Sequence, residues 1–428
     1  MFLAGLVVLT GCSLGSSSGK SDPTPAPGRS TGPTATASTT SRAGRCAAVP
    51  TSLLAAVQTY VASYGAAVSG KAASSKAAAT PGTGGSLQRA LVTAQRELQA
   101  DRCDMTRFRS AFSAGLHNVR AKGPVARAVL LRLTATMTGT AITSPSTVTV
   151  RPRQDLEGVL ATLATGSTVR LTAGRYHLAR SLVLLDGVTL RGAGRDRTSV
   201  TSTAGSSGLL VLTDARVELR DLTLRHQGSR PSTLLMGGPS SSVVLTYARV
   251  TGARRDKAGN GGNGVMMTAA STSVGRGTTL QVTATQVVRN AAAGVLLTGR
   301  HAVSIRRSTF TDNGQCGLCF SGASAGAVLR STFTGNAAGV AVFDQARPVV
   351  ADDTFTKGQV AVQVAGHGAP EIRSVRISRV TRAAVIFSDS STGRIDGAHC
   401  RKVPYGIVVS PHALPYVGKN SCPLAKGG

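Results

Sequence analysis

Two periodicities divide the chain. Between residues 46 and 140 apolar side chains recur at three and four. They fall in four sets: Leu53, Leu54, Val57, Tyr60 and Val61; Leu87, Leu91, Ala94 and Leu98; Phe108, Phe112 and Leu116; and Val125, Val129, Leu130 and Leu133. Each set forms one apolar stripe on a helix, so a small α-helical domain is expected there, with the low-complexity run from Ala72 to Gly85 as a connection. From residue 150 onward the apolar positions come in short runs broken by turn residues, which predicts strands.

The strand pattern repeats. Units begin at Thr278, His301, Ser324, Arg347, Ala369 and Ser391, a step of 22 or 23 residues, and a period in the low twenties marks a solenoid. Ser308-Thr309-Phe310-Thr311 returns as Ser331-Thr332-Phe333-Thr334 and as Asp353-Thr354-Phe355-Thr356. Phe310, Phe333, Phe355 and then Ile377 should therefore stack in one interior column. A second column is expected from Leu297, Phe320, Phe343, Ala365, Phe387 and Val409. Asn290, Asn313 and Asn336 fall three residues after the first column, with Gly358 in the fourth place. Because Asn and Gly best tolerate a left-handed backbone, this phase is predicted to be a tight turn. Residues 253–264, with Arg254-Arg255-Asp256-Lys257 and Asn260-Gly261-Gly262-Asn263-Gly264, interrupt the period as a loop of the kind that shapes a groove on a solenoid face.

Ahead of the repeat, an amphipathic segment at Gln154 to Ala164 leads into Gly166-Ser167-Thr168-Val169-Arg170-Leu171-Thr172-Ala173-Gly174-Arg175-Tyr176-His177-Leu178 and then Gly187-Val188-Thr189-Leu190-Arg191-Gly192-Ala193-Gly194. That order resembles the N-terminal helical cap and first coils of right-handed parallel β-helix proteins such as pectate lyases and polygalacturonases. The resemblance implies a mainly β fold, a right-handed parallel β-helix solenoid over 150–428, with its cap helix covering strands that would otherwise be open edges. The small α-helical domain, 46–140, would precede it as a spacer or docking bundle.

The N-terminus reads differently again. Residues 1–12 are an apolar run ending in Leu9-Thr10-Gly11-Cys12, which resembles the lipobox of bacterial lipoproteins and implies lipidation of Cys12. Residues 13–45 are almost all Ser, Thr, Gly, Pro and Ala, too poor in large apolar groups to fold, and are expected to form a disordered tether. Together these imply an extracytoplasmic protein held to the outer face of the cell membrane by a lipid anchor. With Cys12 consumed, six cysteines remain for an oxidising compartment. Cys46 and Cys103 would clip a helical hairpin, and Cys400 and Cys422, one coil apart, would staple the C-terminal coils. Cys316 and Cys319 are either a local disulfide or two buried thiols.

The formal net charge is +29, a field that draws in polyanions. No zinc-finger spacing or basic helix points to nucleic acid, so the expected partner is an acidic polysaccharide or cell-wall polymer, bound by a monomer. Only 19 acidic residues are present, with no cluster of three, and neither metal nor other cofactor is expected. Candidate chemistry lies where the period superposes polar residues. Asp344, His367, Asp389 and His412 fall within one residue of a common phase. The first three form a candidate catalytic column, with the two carboxylates about 10 Å apart at about 4.8 Å per rung, a spacing that favours inversion in a glycoside hydrolase. The alternative is a stack of solvated turn residues. Arg306, Arg307 and Arg330, with His412, are candidate substrate-binding residues for a polysaccharide lyase or hydrolase, although Asp352 follows in the arginine column and an Arg330–Asp352 surface ion pair is the better explanation of it. A noncatalytic adhesive β-helix remains the alternative to an enzyme.

Overall fold

A computed structural model describes residues 145–426, apart from 206, 212–214, 239–240 and 270–277, and N-terminal to these residues 41, 44–46, 51–59, 97 and 100–119. Cys12, the tether up to residue 40 and most of the four predicted helices lie outside the described residues; residues 44 and 45, expected as the end of the tether, are helical instead, with Arg45 paired to Asp101. Within them, Met105–His117 is a helix whose N-cap, Asp104, accepts hydrogen bonds from the Thr106 and Arg107 N–H groups. Phe108, Phe112 and Leu116 are buried on one face, as are Leu53 and Val57 on the helical residues 51–59. Cys46 and Cys103 are disulfide-bonded.

From Thr147 the chain winds through three parallel sheets. Sheet A has twelve strands from Thr147–Val150 to Tyr416–Val417, sheet B ten from Gly174–Leu178 to His399–Arg401, and sheet C eleven from Leu182–Leu184 to Leu424–Lys426. Each coil runs A to B to C, and every strand pairs with its counterpart one coil away. The predicted cap is the helix Leu156–Thr162, N-capped by Asp155; Leu156, Leu160 and Leu163 are buried over the first coils.

The interior follows the alternation in each strand, because a one-residue slip would turn every apolar side chain outward. Phe310, Phe333 and Phe355 pair in register, continue into Ile377, and stack with ring centroids 4.8 and 4.9 Å apart. The second column differs from the expected one. Phe320 pairs with Val342, Val342 with Val364 and Val364 with Phe387, so Phe343 and Ala365 sit one residue beyond it. The coil loses its residue earlier than a uniform division places it: Asn313 is followed by Gly314, Gln315 and Cys316, whereas Asn336 is followed directly by Ala337 and Ala338, the partner of Cys316.

The Asn phase is a second correction. The left-handed residues at the corner between sheets B and C are Gly252, Arg289, Asp312, Gly335, Lys357, Arg379 and Lys402, each one place before the Asn phase. The asparagines point inward instead. The Asn290 backbone N–H and side-chain Nδ2 both donate to Asn313 Oδ1 at 3.2 and 3.0 Å, and those of Asn313 donate to Asn336 Oδ1 at 3.0 and 2.9 Å. A fully buried amide has to have its donors matched, and a ladder of identical residues one rung apart does so. Gly358, without a side chain, ends the ladder.

A parallel ladder lines the corner between sheets A and B. The backbone N–H of Thr285 donates to Ser308 Oγ, that of Ser308 to Ser331 Oγ, and that of Ser331 to Asp353 Oδ1 at 2.6 Å. At the far end Cys400 and Cys422 are bonded, with Cα atoms 4.8 Å apart. Cys316 and Cys319 are bonded within one strand, in a small cluster with Ala293, Ala338 and Ala341.

Candidate functional site

The solenoid has three corners, and the predicted site residues occupy two of them. Asp344 and Asp389 lie at the corner between sheets C and A, two rungs apart, in a left-handed column with Gly299, Gly322 and Gly366. Both are exposed, and both turn their carboxylates back on the previous rung. Asp344 Oδ2 accepts from Gly322 N at 2.8 Å and from Ser321 Oγ, and Asp389 Oδ2 accepts from Gly366 N at 3.0 Å. His367 and His412 are exposed on the same corner, one residue further along, and neither forms an ion pair with an aspartate. The column therefore brings the aspartates onto one face, as the period implies, with Oδ2 of each engaged by a backbone N–H of the previous rung.

Arg306, Arg307 and Arg330 lie on a different corner, between sheets A and B. Arg306 ends the strand His301–Arg306; Arg307 and Arg330 are left-handed, and Asp352 follows in the same column. Arg330 Nε lies 4.0 Å from Asp352 Oδ2, with both side chains more than half exposed, a surface pair worth little.

Among the described residues a concave stretch of surface lies at the third corner, between B and C. A groove of about 700 Å³ runs there past Arg225, His226, Arg254, Arg289 and Asp312. It continues into a second of about 370 Å³ past Gly335, Lys357 and Thr381, sharing Asp312 and Gly314 with the first. At about 4.8 Å per rung the two together run roughly 30 Å along the solenoid axis.

The loop predicted to shape a groove does so. It closes on itself through an Arg255–Gly261 bridge, with Asp256 accepting from the Asn260 N–H and Nδ2 at 2.8 Å each, and Arg254 at its base reaches the Gly228 carbonyl at 3.5 Å. Beneath the arginines His226 is buried. Its Nε2 lies 3.2 Å from the Arg230 carbonyl, which fixes the proton on that nitrogen, and Nδ1 has no partner. Burial holds this imidazole below its ordinary pKa, and the Arg254 charge acts in the same direction.

Residues 263–421 match the family model described as a right handed beta helix region. From Thr147 onward the described residues form a right-handed parallel β-helix. Among solved structures it is similar to the mannuronan C-5 epimerase AlgE4 A-module of Azotobacter vinelandii, with 14% identity and a TM-score of 0.31 over 61% of this chain and 90% of that one. No curated protein matches it.

Reading the period alone overlooks the groove of this β-helix. Arg225 is in register with Thr251 and Val288, one place before the corner column of Gly252 and Arg289, and Arg254 lies two places beyond that column, where register jumps by 37 residues from Ser242 to Thr279. Arg289 and Lys357 were within reach: each precedes a position in the Asn and Gly phase, and that preceding position is the one exposed at the corner.

Proposed function

We propose that this β-helix binds an acidic polysaccharide or cell-wall polymer along the groove between sheets B and C, as an extracytoplasmic protein anchored through Cys12. The observation that carries the reading is the convergence of Arg225, Arg254 and Arg289 on one concave, solvent-open surface, in a protein of net charge +29. None of the three forms an ion pair among the described residues. Guanidinium groups match carboxylate and phosphate geometry, and a linear polymer lying along the axis would meet successive rungs.

Binding is favoured over cleavage as the core of this reading. Two-carboxylate hydrolysis needs a free pair flanking one bond, and the carboxylates of Asp344 and Asp389 are held by the backbone on a different corner. The test is a variant carrying Arg225→Gln, Arg254→Gln and Arg289→Gln. With each exposed contact worth about 1 kcal/mol, affinity for an oligouronate should fall on the order of 100-fold, and wild-type affinity should weaken as salt rises. Unchanged binding by the variant would refute the assignment. Metabolic acyl labelling that is lost in Cys12→Ala tests the anchor.

A further inference from the structure

The proposed groove is not uniformly basic. Arg225, Arg254 and Arg289 line its N-terminal half and Lys357 its C-terminal half, and Asp312 stands between them as the charged residue that both halves share. A carboxylate at the centre of a polyanion site asks for a reason, and the turn does not supply one. The other left-handed aspartates are all engaged. Asp221 pairs with Arg191 and Arg220, Asp352 with Arg330, and Asp344 and Asp389 accept from backbone N–H groups of the preceding rung. The Asp312 carboxylate has no hydrogen bond or ion pair among the described residues, although Arg289 occupies the adjacent rung of its column.

Its surroundings are also kept clear. The next residue in the column is Gly335, where an added Cβ would meet Asp312 Oδ1, so glycine leaves the carboxylate its present position. Gly314 opens the same stretch.

Resting on the reading above, we infer that Asp312 is a specificity residue that makes the groove select a heteropolymer in which acidic and uncharged sugar units alternate, against a homopolymer of uronates. A homopolymer that slides by one unit still presents a carboxylate to Asp312, and like charges brought together count against the wrong partner. An alternating polymer sets an acid against Arg289 and an uncharged unit over Asp312 on the next rung, whose oxygens then accept sugar hydroxyls.

The experiment compares two oligosaccharides of matched length, one a homo-oligogalacturonate and one alternating glucuronate with N-acetylglucosamine, by calorimetry at fixed salt. It uses the wild type, Asp312→Asn and the triple arginine variant. Asparagine tolerates the left-handed backbone as aspartate does, and equal melting temperatures would confirm that the fold is retained. The wild type should prefer the alternating chain by roughly three- to five-fold, the size of an exposed like-charge contact, and Asp312→Asn should erase that preference by gaining affinity for the homopolymer. A wild type without the preference, or one whose preference survives unchanged in Asp312→Asn, overturns the inference while the arginine groove stands. Failure of the wild type to bind either chain, or undiminished binding by the triple variant, overturns the groove as well.

Discussion

An aspartate in the left-handed region stands at the C–A corner and another at the B–C corner, and the two are used differently. At the first, the Asp344 and Asp389 carboxylates reach back to the N–H groups of Gly322 and Gly366 and close the turn. At the second, Asp312 leaves its carboxylate open to a groove whose turns are held from inside by the Asn290, Asn313 and Asn336 ladder. Where an interior ladder satisfies the corner, the exposed side chain is released for recognition. At the C–A corner the exposed aspartates close the turn themselves. A shared phase along a solenoid thus identifies a column without saying whether its members are spent on the fold.

The A–B corner extends this contrast and carries the largest expected effect. Its ladder ends on Asp353, fully buried, with Oδ2 unpartnered. Burial raises its pKa from 3.8 to about 8, with the neighbouring Asp352 charge adding to the rise against the Ser331 N–H. The native state therefore keeps a proton that the unfolded chain has released. The stability that Asp353 contributes should be greatest below pH 3.8 and should fall by about 1.4 kcal/mol per pH unit as pH rises to about 8, then level off. Asparagine preserves the acceptor for Ser331 and cannot ionise, so Asp353→Asn should be the more stable protein at pH 8, with the gap closing toward pH 4. His301, buried with its pKa lowered to about 4, gives an opposite slope below its unfolded value of 6.5. That slope is common to both proteins and cancels in the difference. Urea unfolding of the two proteins at pH 5 and 8 measures it, and an equal gap at both would show that Asp353 is not protonated in the fold.

Next in size is the ladder beneath the groove. Asn313→Ala strands the Asn290 N–H and the Val287 carbonyl away from water, which should cost about 3 kcal/mol. The smallest effect is expected at the C–A corner, where Asp344→Asn keeps one acceptor oxygen in an exposed turn and should change stability by less than about 1 kcal/mol. Chemical denaturation ranks the pair, and an Asp344 cost equal to that of Asn313 would erase the distinction between the corners.

Much of this architecture is legible in the sequence. The Phe310, Phe333 and Phe355 column, the Cys400–Cys422 staple and the Arg330–Asp352 pair all follow from counting 22 or 23 residues, because strand pairing keeps equivalent positions one rung apart. What counting misses has physical causes. The asparagines read as turn residues because their tolerance of positive φ is a property of the residue, whereas their burial depends on the whole coil. Dropping one residue after Asn336 moves the interior column from Phe343 to Val342, and only the register across the strands reveals where. The arginines of the groove hold three different places along their coils, Arg225 one before the corner position, Arg289 on it and Arg254 two beyond it, so no constant period superposes them.

The central claim is that polymer recognition belongs to the B–C corner, and it is tested most directly by arginine footprinting. Phenylglyoxal modification, read by peptide mass spectrometry with and without an acidic oligosaccharide, compares the corners in one sample. Arg225, Arg254 and Arg289 should become protected while Arg306, Arg307 and Arg330 react as before. Protection of Arg306, Arg307 and Arg330 with the groove arginines still reactive would contradict the account and return the site to the A–B corner.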